Sequence, residues 1–281
     1  MAGFICIACA SSASAFVVPG IVGGRQQFPV QNPESSTFSR FRTAASRLSM
    51  ADLTLFSPAK TNLFLRITRK REDGFHELAS VFQALGLGDT LQFSKLEGGT
   101  EDILSCNVEE VPLDGKNLIV KAFVLFRKRT GKNDYFRCAI DKRTPLEGGM
   151  GGGSSNCATA LWAANKLCGS PATDAQLIEW GGELGSDVSF FLSCGTAYCT
   201  GRGEVIENLP PLKTPKGSFW VLKPPQGCPT GQVYSKLGLS PGQMLEGPDP
   251  LVLKNKMLKH GMSVFTDKCT HTQSYTTCMH A

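Results

Sequence analysis

Hydrophobic and polar positions alternate from Leu53 onward. Leu53 and Leu55 stand two apart, and after a proline at 58 the alternation resumes. Leu63, Leu65 and Ile67 share one face, while Lys60, Asn62 and Phe64 share the other, which predicts a strand. Pro58 marks a bend or bulge in it. The run VFQALGLGDTLQF, 81–93, reads as strand with a glycine-containing turn. From Asn117 the period changes: Leu118, Ala122, Leu125 and Phe126 fall on one side of a helix that ends at Gly131. YFRCAIDKRTP, 135–145, returns to strand, and Ala158, Leu161, Trp162 and Leu167 recur at helical spacing. Leu177, Ile178 and Leu184 form a short helix stopped by glycines, and Asp187 precedes the apolar run VSFFL. SCGTAYCTGRGEVIENLP reads as two strands around a turn at Gly201 and Gly203. A proline-rich basic stretch, 210–217, marks a domain boundary, and FWVLKPP opens a new strand.

The most unusual segment joins a strand to a helix. In TPLEGGMGGGSSNCATALWAANKL, Gly148, Gly149, Gly151, Gly152 and Gly153 lack a Cβ, so the backbone can approach another group closely. Ser154, Ser155 and Asn156 stand where N-cap residues belong. A glycine loop feeding a helix start presents unpaired N–H groups beside the positive end of the helix dipole, a ready phosphate site. A Walker loop would need a lysine before Ser154, and the dinucleotide fingerprint needs a different glycine register. The remaining pattern is P-x-(x)-G-G-x-G-G-G-S-S-N-x-A.

Composition changes the picture little. The 281 residues are 41% hydrophobic and 19% charged, ordinary for a globular protein. The net charge of +5 suits small anions and is too weak to argue for nucleic acid. No apolar run is long enough to cross a bilayer. Eleven cysteines are scattered, many in apolar segments, as buried thiols would be. Cys269, His271, Cys278 and His280 are zinc-compatible in type, but their spacing matches no zinc module. Residues 1–50 differ in kind. They are rich in Ser, Ala and Arg with Glu34 the only acid, the composition of an organelle transit peptide, here expected to be disordered.

The glycine pattern resembles the phosphate loop of the GHMP small-molecule kinases. SPAKTNLFL followed by KREDGFHEL resembles the N-terminal signature of the 4-diphosphocytidyl-2-C-methyl-D-erythritol kinases within that superfamily. The resemblance runs from about Leu53 to about Pro250. It implies an α+β fold: an N-terminal catalytic domain of the ribosomal-S5 type over 51–212 and a ferredoxin-like domain from 217 on. It implies ATP as phosphoryl donor with Mg²⁺, and the 2-hydroxyl of 4-diphosphocytidyl-2-C-methyl-D-erythritol as acceptor, in the non-mevalonate isoprenoid pathway. By this resemblance Lys60 lies at the reacting hydroxyl and Asp187 is the base, although spacing alone favours an edge-strand lysine and an N-cap aspartate. Asn62 is a substrate contact. Phe75, where tyrosine is usual, and His76 hold the cytosine, joined by Tyr234. Asn117 contacts adenine, a role compatible with capping its helix. Lys142, Pro145, Gly148, Gly149, Gly151, Gly152, Gly153, Ser154 and Ser155 make the ATP site, with Ser154 or Ser155 a candidate Mg²⁺ ligand. The family's GAG becomes EGG here, placing Glu147 at the lip of the loop, where it weakens nucleotide binding unless it points outward or meets the metal. The leader implies the plastid stroma, with a signal part before the transit part as a further expectation, and the expected assembly is a monomer or weak homodimer.

Past about Lys259 the resemblance stops. Neither the family's NDLE-type helix nor its second glycine loop is found, and the sequence reads there as an unrelated tail after a partial second domain. Two other readings stay open on the sequence: a different GHMP kinase, against which DGFHEL argues, and a nucleotide-binding fragment without turnover.

Overall fold

The computed structural model describes residues 6–9, 52–210, 219–222 and 234–260. Its centre is a six-stranded sheet built on one long antiparallel hairpin, β2 (Leu53–Lys70) with β3 (His76–Leu96). β3 pairs with β2 along its length and on its other edge with two further strands. Thr90–Leu96 face β5 (Tyr135–Asp141), and Ser80–Gln83 face β6 (Thr196–Thr200). β4 (Ile103–Cys106) adds in parallel outside β5, and β7 (Val205–Asn208) adds antiparallel outside β6. A separate pair joins β1 (Cys6–Cys9) to β8 (Phe219–Leu222). β1 falls within the segment read as a leader; the rest of 1–50 and the tail from 261, with Cys269, His271, Cys278 and His280, lie outside the described residues.

Two expectations about the strands are corrected or refined. Gly86 and Gly88 make no turn, because β3 runs straight through them. Gly88 is needed for close approach instead: a Cβ there would lie 2.6 Å from Phe56 and 2.8 Å from the Cα of Pro58. Pro58 does mark a bulge, since the β2–β3 register shifts between Pro58 and Lys60. The shift breaks the inside–outside alternation, so Ala59, Lys60 and Thr61 are buried in succession.

One face of the sheet is covered by α1 (Leu118–Thr130), α2 (Gly152–Leu167) and α3 (Asp174–Leu184). Asn117 caps α1, its Oδ1 accepting from the Ile119 N–H at 2.9 Å, and Gly131 closes the helix in the left-handed conformation. Thr173 and Gln176 form a capping box on α3. The core between helices and sheet is aromatic: Phe93, Phe123, Phe126 and Phe136 are fully buried, with Phe123 and Phe136 centroids 4.8 Å apart. Each such ring contributes about 2–3 kcal/mol by leaving water.

The opposite face carries Leu63, Ala79, Val81, Tyr198 and Leu209, covered by Met257 of α5 (Pro250–His260). Leading to α5, residues 242–245 run along β2: Gly242 N–H donates to Lys70 O and Leu245 N–H to Thr68 O, each at 2.8 Å.

Candidate active site

The glycine loop meets the β2 bulge. The Lys60 N–H donates to Met150 O at 2.9 Å, which holds the loop against the strand. Gly149 and Gly151 have φ of 65° and 69°, the left-handed region that suits glycine. Glu147 also has positive φ, 52°, with its side chain exposed. At Gly151 a Cβ would lie 2.9 Å from the Phe191 ring and 3.1 Å from Lys60 Cγ. The loop therefore passes directly over the lysine stem.

The helix starts earlier than the hydroxyl residues predict. α2 begins at Gly152 with Gly151 as its cap and no side-chain capping bond. Ser154 and Ser155 lie inside the first turn, and Asn156 follows it. The Gly152, Gly153 and Ser154 N–H groups come before any intrahelical acceptor is available. Ser155 and Asn156 turn inward. Ser57 Oγ donates to Ser155 Oγ at 2.8 Å, and Asn156 Nδ2 donates to Ser57 Oγ at 2.9 Å and to Asp89 Oδ2 at 2.8 Å. Of the two serines expected near a metal, Ser155 is wholly buried in this network and only Ser154 stays partly exposed.

Asp89 is the hub. It is fully buried and accepts from Lys142 Nζ at 2.5 Å, Thr144 N–H at 2.7 Å and Arg143 N–H at 2.8 Å, besides Asn156. Burial pushes its carboxyl upward, but the Lys142 ammonium, the two backbone N–H groups and Asn156 outweigh it, and the net displacement is below the usual carboxylate range. Lys142, expected at the nucleotide, thus spends its ammonium one layer below the loop, where a Cβ on Gly152 would lie 2.7 Å from Nζ. Sequence reading missed Asp89 and Ser57. The available signal was an acid amid the apolar positions of one strand, which must find buried donors.

Across the loop from this network, Lys60 meets Asp187. Their Nζ and Oδ2 are 3.3 Å apart, with the lysine side chain 7% exposed and the aspartate 29%. Lys60 Nζ also donates to Asn62 Oδ1 at 2.7 Å and lies 4.5 Å above the Phe82 ring. Asp187 occupies the cap position of α4 (Val188–Phe191) but makes no capping bond, so its carboxylate is left to the lysine. Two groups 127 positions apart are thereby joined beside the glycine loop.

The residues expected at a nucleobase divide into two pairs. His76 stacks on Tyr234, centroids 5.1 Å apart and 25° between planes. Phe75 is 53% exposed and lies instead under the Arg202 guanidinium at 5.1 Å. Burial, with Lys70 adding to it, holds the His76 imidazole below its ordinary value. Burial and the Asp187 charge push the Tyr234 hydroxyl up, which ties this stack electrostatically to the Lys60–Asp187 pair. Pro145 is exposed at the mouth of the loop, and Asn117 lies at the α1 start, its Nδ2 donating to Pro112 O at 2.6 Å.

Residues 117–195 match the family model described as the GHMP kinases N terminal domain. A chloroplastic 4-diphosphocytidyl-2-C-methyl-D-erythritol kinase of Mentha piperita is 49% identical over 241 residues, 85% of this chain and 59% of that protein. The Arabidopsis thaliana protein of the same description is 49% identical over 76% of this chain and 55% of its own length. The Protochlamydia amoebophila kinase is 49% identical over 68% of this chain and 65% of its own. A solved 4-(cytidine 5'-diphospho)-2C-methyl-D-erythritol kinase superposes with TM-score 0.52 at 29% identity, covering 68% of this chain and 67% of that one. The chain thus spans somewhat over half the length of the plant relatives it matches. The hairpin-centred sheet, the bare loop at the head of α2 and these matches lead to one conclusion: the chain has the GHMP kinase fold.

Proposed function

We propose that this chain phosphorylates the 2-hydroxyl of 4-diphosphocytidyl-2-C-methyl-D-erythritol with ATP; its relatives are named kinases of that compound. The observation that supports this most is the Lys60–Asp187 pair at 3.3 Å beside Gly151. Asp187 takes the hydroxyl proton. Lys60 pairs with that carboxylate and offsets charge developing on the attacking oxygen. Asn62 fixes the lysine head through its own hydrogen bond. The N–H groups at Gly152, Gly153 and Ser154, with the glycines before them, cradle the triphosphate, and the Asp89–Lys142 pair holds that cradle rigid from below. Asn117 and Pro145 border the nucleoside. Phe75, His76 and Tyr234 take the cytosine, for which the His76–Tyr234 stack has to open from 5.1 Å to about twice the ~3.4 Å of one aromatic layer.

Mg²⁺ fits this site as an ion brought with the nucleotide. Among the described residues no group of three His, Cys, Asp or Glu side chains stands together, and the ion readily binds through phosphate oxygens with few protein ligands. Ser154 is the hydroxyl placed to join them; the ion supplies charge neutralisation on the phosphates. The reading further assigns 51–212 to the catalytic domain and 217 on to the second domain. It places the protein in the plastid stroma after loss of the leader, as a monomer or weak homodimer; the plant relatives are named chloroplastic, and no described helix is long and apolar enough to cross a membrane.

The test is D187N and K60M in a coupled ADP-release assay with the cytidine substrate. D187N should lose about 10²–10⁴-fold in kcat with ATP still bound, and K60M a comparable factor. Turnover of D187N within a few-fold of the parent would remove Asp187 as the base.

A further inference from the structure

The turn between β6 and β7, Thr200-Gly201-Arg202-Gly203-Glu204, touches both ends of the proposed substrate site. At one end Gly203, with φ 119°, presses on the Asp187 loop: a Cβ there would lie 3.3 Å from Ser186 O and 3.6 Å from Asp187 Oδ1. At the other end Gly201 O accepts from the Leu78 N–H at 2.8 Å, fixing the turn to the strand that begins at His76. Between these anchors Arg202 lays its guanidinium over the Phe75 ring. Its side chain is 32% exposed, and its only ion-pair partner among the described residues is Glu204, a long 3.5 Å contact through Nε. Neither Nη atom makes a hydrogen bond or ion pair among the described residues. Glu204 is held mainly by the Arg202 backbone N–H at 2.6 Å, and Asp73 by Arg71 and the Phe75 N–H. Both neighbouring carboxylates are therefore already engaged, and Lys70 beside His76 adds a further cation.

The order of groups along this surface is Phe75 and His76, then Arg202, then Gly203, then Asp187 with Lys60. We infer that Arg202 is a specificity-determining residue that grips the diphosphate of the acceptor. This rests on the function proposed above. In that acceptor the base and the phosphorylated alcohol are separated by the diphosphate, and the guanidinium stands between the residues that take the two ends. A planar fork stacked on an aromatic ring keeps its edge donors free and pre-oriented, which suits two phosphate oxygens better than an ammonium does.

The test is calorimetric binding of cytidine, CMP and CDP to the full chain and to its R202Q and R202K variants, with thermal unfolding as a folding check. The parent should bind CDP more tightly than cytidine, and R202Q should weaken CDP about 10- to 100-fold while changing cytidine less than threefold. R202K should recover part of the loss, and the salt dependence of CDP binding should be shallower in R202Q. Equal weakening of cytidine and CDP would reduce Arg202 to a support for Phe75 and overturn the inference. So would a parent that binds cytidine and CDP alike, which leaves the kinase reading intact. A parent that binds none of the three overturns both.

Discussion

Replacing Asp89 with asparagine tests how the phosphate loop is held. The amide is nearly isosteric, and its oxygen can still accept from the Arg143 and Thr144 N–H groups, both of which reach Oδ1. Its nitrogen then replaces Oδ2, the atom facing Lys142 Nζ at 2.5 Å and Asn156 Nδ2 at 2.8 Å. Donor meets donor, and a buried ammonium loses its counter-charge. Breaking one partner of a buried pair costs about 3–5 kcal/mol. Asn156 keeps its bond to Ser57, so its share is small. The expected loss is about 3–5 kcal/mol, roughly 6–20 °C in Tm for a domain of this size. Urea unfolding followed by circular dichroism reads the difference. A loss under ~1 kcal/mol refutes the claim that Asp89 neutralises Lys142 beneath the loop.

Further expectations concern the same surroundings. In the parent, Asp89 titrates below its unfolded value, so its contribution is complete above the ordinary carboxylate range and is lost as pH falls through the folded value; D89N should flatten that acid limb of stability. G151A forces a side chain into the left-handed region, about 1–2 kcal/mol, and against Phe191 and Lys60, another ~1–3 kcal/mol. Its kcat should fall further than its stability predicts, because Lys60 must shift; unchanged kcat would show that the loop does not position the lysine. The imidazole of His76 is held below its ordinary value, so protonation favours the unfolded chain, and stability should drop as pH falls below about 6.5. An NMR titration of the His76 ring at or above that value would contradict the stack with Tyr234. Among the described cysteines, burial pushes Cys138 strongly up and Cys157 and Cys199 up to about 12. A thiol reagent on the native protein should therefore modify exposed Cys194 and spare these three, and rapid modification of Cys157 would place it outside the core.

Local rules made much of the fold legible. The alternation from Leu53, the α1 stripe with Asn117 and Gly131 at its ends, and the turn at Gly201–Gly203 all reappear, because neighbours along the chain decide them. The same rules misplaced Gly88 and the hydroxyls of the glycine loop. A strand glycine looks like a turn until the bulge of β2 is seen pressing on it. Ser155 and Asn156 look like caps until Ser57 and Asp89, from two other strands, claim their side chains.

By itself the sequence determined the kind of chemistry: a loop with too many glycines for an ordinary turn, feeding a helix whose first N–H groups await an anion. Tertiary structure alone decided the partners. The register of β2 on β3, shifted at Pro58, buries Lys60 and aims it at Asp187, and the strand beside it carries Asp89 under the loop. Periodicity reports which face a residue takes, whereas charge pairing depends on distances that only the packed sheet sets.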